Sequence, residues 1–395
     1  MFPKSRQRRL CEQNSIHEAI TVRSVTGVSR AKLLTQHSPR GELICEKMAR
    51  VALCGAGVVG SGVLSILSKK KDLPFQVTKV LVRDLKKARG VSLPHGAEYV
   101  TNWRECVEDV DIVVELIGGT TLAKDIVYTA LESGIDVVTA NKALLASEMS
   151  GLEKVLESKS SGSLAYEAAV GGGIPVIRGL QSSVTVADDV SSIAGILNGT
   201  TNFMLSKMAS EGSSYDDVLK EAQDAGFAEA DPTADVEGHD ARAKIALLAR
   251  LAMGYHVLEE EIPCAGISQL TAEDFAYART LGSTIKLIGT ARKSTKKDDD
   301  RMRVETFVTP CICPLDTSIA NVNGELNVVE IQSDNLGRTH LIGPGAGSMP
   351  TANSVVADLV ALEKGSVDAP FPVPLVPDAI KDSDYHGCQC ICCLS

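Results

Sequence analysis

The chain has 395 residues, an apolar fraction of 44% and a formal charge of −10. At roughly 100–200 residues per domain this is enough for two cores plus tails, and the acidic balance argues against a nucleic-acid partner, which would call for a basic domain. No apolar run reaches the ~18–20 residues of a membrane helix, so a soluble protein without a membrane partner is expected.

Residues 1–48 carry Lys4, Arg6, Arg8, Arg9, Arg23, Arg30, Lys32, Arg40 and Lys47, with few acids and no aspartate. That composition fits an organelle transit peptide or a plain disordered extension. Glu12 and Glu18 count against the former, and no apolar h-region marks a secretory signal. The compartment expected is the cytoplasm, or a plastid if the leader is a transit peptide.

Folded sequence begins near Met48. Arg50–Cys54 reads as a short strand that runs into Gly55-Ala56-Gly57-Val58-Val59-Gly60, followed by a helix from Ser61 to Lys70. A strand, a G-x-G-x-x-G turn and a helix in that order form the dinucleotide fingerprint. Gly55 permits the tight turn, Gly57 lets the backbone approach a pyrophosphate, and Gly60 lets helix and strand pack closely. The helix N-terminal amides then face the phosphates. The second strand, Val77–Val82, ends in Val82-Arg83-Asp84, with Lys86 and Lys87 following. An arginine there suits a ribose 2′-phosphate and an acid suits the free hydroxyls, so Arg83 favours NADP while NAD stays open.

Further strands are expected at Asp111–Ile117, Ile135–Thr139 and Leu164–Val170, and helices at Leu122–Ser133 and Leu152–Ser158. Gly134 follows the first of these helices as a stop. Alternating strands and helices predict an α/β fold, a Rossmann-type doubly wound parallel sheet. After about residue 174 the pattern changes. Ser191–Leu197, Met302–Val308, Leu326–Ile331 and Thr339–Ile342 read as strands with partial period-two patterning, and Asp240–Met253 and Ala272–Thr280 as helices. That grammar predicts a second, α+β domain with a sheet covered on one face. The charge run Lys296–Arg301 is expected in a solvated hairpin or loop.

The domains predicted are a nucleotide-binding domain over 49–174, completed by 340–365, a substrate-binding and dimerisation domain over 175–339, and a Pro/Cys-rich tail over 366–395. The eleven cysteines are scattered. Cys54 sits in an apolar run, and Cys311 and Cys313 share a strand face. The tail group Cys388, Cys390, Cys392 and Cys393 lacks a histidine or second pair to complete a metal site. A reducing compartment is implied.

Several stretches go beyond a nucleotide domain: Thr139-Ala140-Asn141-Lys142-Ala143, Tyr166 to Pro175, Leu197-Asn198-Gly199-Thr200-Thr201-Asn202, Gly226 to Lys244, and Gly343-Pro344-Gly345-Ala346-Gly347. In the last-but-one, Asp240 and Lys244 are four apart and share a helix face, which on spacing alone reads as a solvated surface pair more often than as a site. Together, in this order over roughly residues 50–365, these stretches closely resemble homoserine dehydrogenases. The similarity includes neither an aspartate-kinase region nor a recognisable C-terminal regulatory domain.

The resemblance implies NAD(P)-dependent interconversion of L-homoserine and L-aspartate 4-semialdehyde, in threonine, methionine and isoleucine biosynthesis. By the same likeness Lys244 is the proton donor, Lys142 lies near the nicotinamide, and Asp240 positions the hydroxyl or Lys244. Glu229 holds the substrate α-ammonium, supported by Asp235. Cofactor contacts fall on Gly55, Ala56, Gly57, Val58, Val59, Gly60, Arg83, Gly118, Lys142 and Gly345. Glu167, Val170, Gly172 and Ile174 match a monovalent-cation site, for sodium, with hard oxygen ligands on an irregular glycine-rich turn. A homodimer or homotetramer built on second-domain strands is also implied. His239, beside Asp240, reads as a neighbour and not a base. The competing expectations are another NAD(P) oxidoreductase of small amino acids, or an inactive cofactor-binding sensor.

Overall fold

Short runs of Val, Ile and Leu build the first sheet, because strands buried on both faces take apolar residues at consecutive positions. In the computed structural model these are β1 (Ala49–Cys54), β2 (Phe75–Leu81), β3 (Glu98–Val100), β4 (Ile112–Glu115), β5 (Asp136–Thr139) and β6 (Leu164–Ala165). The structure describes residues 48–85, 93–296, 299–367, 369–376 and 380–381. The basic leader up to residue 47, Lys86, Lys87 and the tail cysteines lie outside the described residues. The sheet order is β3-β2-β1-β4-β5-β6, and every pairing is parallel. Helices α1 (Val58–Lys69), α2 (Leu122–Glu132) and α3 (Lys142–Leu156) connect the strands. This is the doubly wound sheet that the alternation predicted.

In this first layer two boundaries differ most from expectation. Helix α3 starts at Lys142, ten residues before the predicted Leu152, because the Asn141 side chain caps it by accepting from Leu144 N at 3.1 Å. Leu144, Leu145, Met149 and Leu152 then bury one face. The strand predicted over Leu164–Val170 stops at Ala165 and gives way to a 3₁₀ turn, Glu167–Ala169. The Glu167 carboxylate there accepts from Ile177 N (2.9 Å) and Arg178 N (2.8 Å), which pulls the chain off the sheet.

The second sheet contains β7 (Val190–Ile196), β8 (Ser283–Lys296), β9 (Asp299–Pro314), β10 (Leu326–Ser333), β11 (Gly337–Pro344) and β12 (Ile380–Lys381), in the order β11-β10-β7-β8-β9-β12. Its pairings are antiparallel apart from β9 with β12. Lys296 stands opposite Asp299, so the charge run sits at a hairpin. Helices α4 (Gly199–Glu211), α5 (Tyr215–Asp224), α6 (His239–Met253) and α7 (Ala272–Thr280) accompany this sheet. Helix α6 packs on β7, β8 and β9 and is buried almost throughout from Ala241 to Met253. Strand β8 and helices α4 and α5 were not legible in the alternation.

The last helix, α8 (Ser348–Glu363), returns to the first sheet and lies along α1. Gly62 makes that approach possible, since a Cβ on it would stand 2.8 Å from both the Ala352 Cβ and the Ser348 carbonyl oxygen. The proline-rich stretch beyond α8 is tied down over residues 369–376. Prolines donate no N–H, so the stretch is held largely through its carbonyls. Pro370 O accepts from the Tyr166 hydroxyl and from Gln181 Nε2 (2.9 Å), and Val373 O accepts from Arg250 Nη1 (2.7 Å). Among the described residues no helix is long and apolar enough to cross a membrane.

Replacing Gly62 by valine should force α1 and α8 apart. Overpacking of this kind costs about 1–3 kcal/mol, readable as a lower urea midpoint. An unchanged midpoint would show that the helices have slack the distances deny.

Candidate active site

In a doubly wound sheet, ligands bind where the strand order reverses, outside the carboxyl ends of the strands. Here that point lies between β1 and β4. Gly55 ends β1 with φ +110°, a region L-residues rarely adopt. A Cβ on Gly60 would lie 2.1 Å from the Gly55 carbonyl oxygen, so that glycine is dictated by helix–turn packing. No atom lies within 4 Å of where a Cβ on Gly57, Gly118 or Gly119 would sit. The cradle is therefore open, and no side chain caps the N-terminus of α1. Ala56 and Val59 complete the turn, and Val58 is exposed. Ser348 Oγ donates to Val58 O at 2.7 Å, which draws the loop containing Gly345 against the turn. Arg83 is exposed just past β2. A dinucleotide's phosphates fit this cradle of unfilled backbone.

A buried network shapes the neighbouring loops. Glu115, at the end of β4, accepts from Ile117 N (2.9 Å), Gly118 N (3.1 Å) and Thr139 Oγ1 (2.6 Å). Asn141 donates through Nδ2 to Gly119 O at 2.7 Å. These bonds fix the β4 loop against the start of α3, so that Lys142 leaves the helix N-terminus on the carboxyl side of the sheet.

Lys142 there meets α6. Gly238, at φ +81°, turns the chain into this helix, and a Cβ on it would stand 2.9 Å from Cys264 Sγ. Asp240 and Lys244 follow one turn apart. Lys244 Nζ lies 2.7 Å from Asp240 Oδ2 and also donates to Leu197 O at 2.6 Å. Lys142 Nζ lies 3.2 Å from Asp240 Oδ1. Asn198 Nδ2 donates to Asp235 Oδ1 at 2.7 Å and to Asp240 Oδ2 at 2.9 Å. Its own Oδ1 caps α4 by accepting from Thr201 N.

Burial works to raise the Asp240 pKa, but Lys244, Lys142 and the hydrogen bonds outweigh it and hold the carboxyl at about 2. Asp235, with fewer cations about it, is raised by burial. One carboxylate is thus firmly ionised and its neighbour more easily protonated.

The other expected residues fall as follows. Glu229 is exposed, on the loop that leads from α5 towards Asp235, and Thr200 Oγ1 fastens that loop by donating to Phe227 O at 2.8 Å. His239 Nδ1 is buried without a hydrogen-bond partner, which suits a neighbour better than a base. Glu167 is buried, and burial raises its pKa. Gly172 O accepts from Ser354 Oγ (2.7 Å) and Ile174 O from Val176 N (2.8 Å). Each of these oxygens has one donor and a spare lone pair. Among the described residues no group of three His, Cys, Asp or Glu stands ready for a metal ion. Beside Glu167, Asp358 accepts from Glu167 N (2.8 Å) and Arg178 Nη2 (2.9 Å), and burial, with the Glu167 charge, lifts it to about 7.

Sequence reasoning quoted Asn198 within a motif yet gave it no role. Asn141 was likewise quoted without a role, and Glu115 and the Arg178–Asp358 pair were overlooked. For Asn198 a signal existed, since an asparagine between a strand and a helix is a preferred N-cap.

An open dinucleotide cradle whose carboxyl edge meets a lysine–aspartate–lysine contact defines an oxidoreductase that uses a nicotinamide cofactor. Two family models match in order: "Homoserine dehydrogenase, NAD binding domain" over residues 55–166 and "Homoserine dehydrogenase" over residues 175–360. A homoserine dehydrogenase of Bacillus subtilis is 45% identical over 328 residues, covering 80% of this chain and 73% of that protein. A homoserine dehydrogenase of Pseudomonas aeruginosa is 41% identical over 350 residues, covering 85% and 78%. The crystal structure of a homoserine dehydrogenase from Thiobacillus denitrificans superposes with a TM-score of 0.78 at 40% identity, over 84% of this chain and 79% of that one. The chain belongs to the homoserine dehydrogenase family.

Asn198→Asp keeps the cap acceptor for Thr201 N but removes the amide donor shared by Asp235 and Asp240. We expect kcat/KM to fall about tenfold or more, the scale of a lost buried hydrogen bond to a charge. The added negative charge should also move the acid limb of the pH profile upward. Wild-type kinetics in this variant would mean the amide bridge is idle.

Proposed function

We propose that the chain interconverts L-aspartate 4-semialdehyde and L-homoserine with NADPH and NADP⁺, supplying the threonine, methionine and isoleucine branches. The single observation that carries the mechanism is the Lys142–Asp240–Lys244 contact at the carboxyl edge of the parallel sheet. When bound, the dihydronicotinamide supplies the hydride. As the aldehyde carbon accepts it, the carbonyl π pair moves to oxygen and needs a proton. Lys244 donates one from Nζ and is left as the amine. Asp240 keeps both ammoniums aimed at one point and favours return of the proton, with Lys142 as the second cation near the oxygen. Asp235 and Glu229 take the substrate α-ammonium, and the exposed position of Glu229 suits a group that closes on substrate as it arrives.

Arg83 supports NADP through its exposed guanidinium beside the adenosine end of the cradle. Residues Glu167, Val170, Gly172 and Ile174 are assigned to a sodium ion on the strength of their hard oxygens; no chemical step is given to it. A homo-oligomer through the second sheet follows from the resemblance, and the partly exposed edge strand β11 is compatible with it.

Following NADPH oxidation with aspartate 4-semialdehyde tests the reading, and Lys244→Ala should lower kcat by about a hundred- to ten-thousandfold, the range for a lost general acid. Unchanged turnover would remove Lys244 from the chemistry. Arg83→Ala should reduce kcat/KM for NADPH while leaving NADH unaffected, because only the former carries a 2′-phosphate. An equal loss with both nucleotides would withdraw the NADP assignment.

A further inference from the structure

We infer that the second domain carries a binding groove, separate from the active site, for a small anionic ligand bearing a carboxylate or phosphate. The groove lies between α4, α7 and the loop 315–324, and encloses about 500 Å³, within the range of small-molecule sites. Phe203 and Phe275 give it an apolar wall, Ser206 and Asn323 a polar floor, and Lys207 and Arg279 a cationic rim. None of its lining residues is an aspartate or glutamate, although the chain as a whole carries −10.

Among the described residues, two of the cations at this place, Arg279 and Lys286, have no acidic partner. Lys207 is matched by Glu211 (3.3 Å) and Glu221 (2.5 Å). Arg279 instead donates through Nη2 to a neutral carbonyl, Ala209 O, at 2.5 Å. Lys286 lies beneath the floor, 1% exposed. Its Nζ is bonded to Asn323 Oδ1 (2.9 Å), Val322 O (2.8 Å), Asn202 Oδ1 (3.1 Å) and Ser206 Oγ (3.4 Å). All four are neutral. A buried ammonium without a counter-charge is unfavourable, and burial lowers this one to about 8. An anion held by Arg279 and by the Asn323 Nδ2 amide, whose present acceptor is Asn321 O at 3.3 Å, supplies the missing charge. The floor is distinct from the catalytic cluster: along α4, Ser206 is eight residues beyond Asn198, about 12 Å at the helical rise.

The test is calorimetric titration of the full chain, saturated with nicotinamide nucleotide so that the phosphate-binding turn is filled. Citrate and inorganic phosphate are the probes, and the tighter of the two identifies the ligand chemistry. One site per chain is expected. Arg279→Glu should weaken it about tenfold or more, as reversing a charge-assisted contact does, with kcat retained. Lys286→Met should weaken the same binding; if that variant does not fold, Arg279→Glu decides alone. Failure of both anions to bind at millimolar concentration, or binding indifferent to Arg279→Glu, overturns the proposal.

Discussion

Asp240 is the group on which the site depends. A carboxylate in so enclosed a place would ordinarily favour its neutral form. Here Lys244 comes from its own helix, Lys142 from the first turn of α3, and Asn198 from the cap of α4. Together they more than reverse the effect of burial. The relation is mutual, since either lysine without the aspartate would face the other as a like charge. The carboxylate is therefore one point at which the two sheets are electrostatically joined, alongside the Arg250–Glu153 pair that links the same two helices further along.

Much of this was legible because the sequence pattern and the physical constraint coincide. The G-x-G-x-x-G turn reads correctly because each glycine answers a separate local demand, and two of those demands appear in the structure as atoms a Cβ could not avoid. The alternation of apolar strands with helices predicted the parallel sheet. Helix α6 was visible from its long apolar run, with Asp240 and Lys244 one turn apart. The family likeness then attached chemistry to a pair that spacing alone could not distinguish from a surface ion pair.

What stayed hidden was set by partners distant in sequence. Glu115 looks like one more residue in an apolar strand, and its three bonds become visible only when the loop after β4 folds back and β5 lies alongside. The strand at Leu164 ends early because a glutamate three residues on caps amides ten residues further along, a choice no local window contains. Strand β8 was missed because a lysine interrupts its apolar pattern. That lysine, Lys286, is nonetheless among the most deeply enclosed side chains, solvated by carbonyls and amides from elements on either side.

The chain leaves the parallel sheet near Ala165, builds five strands of the antiparallel layer, comes back as α8 to lie on α1, and then crosses once more to add β12 beside β9. The antiparallel part is thus joined to the parallel part by three covalent crossings rather than one. A body threaded three times by one chain cannot turn freely about any single linker. Lys142 on one side, and Asp240 with Lys244 on the other, are therefore kept in register by the path of the backbone as well as by their charges.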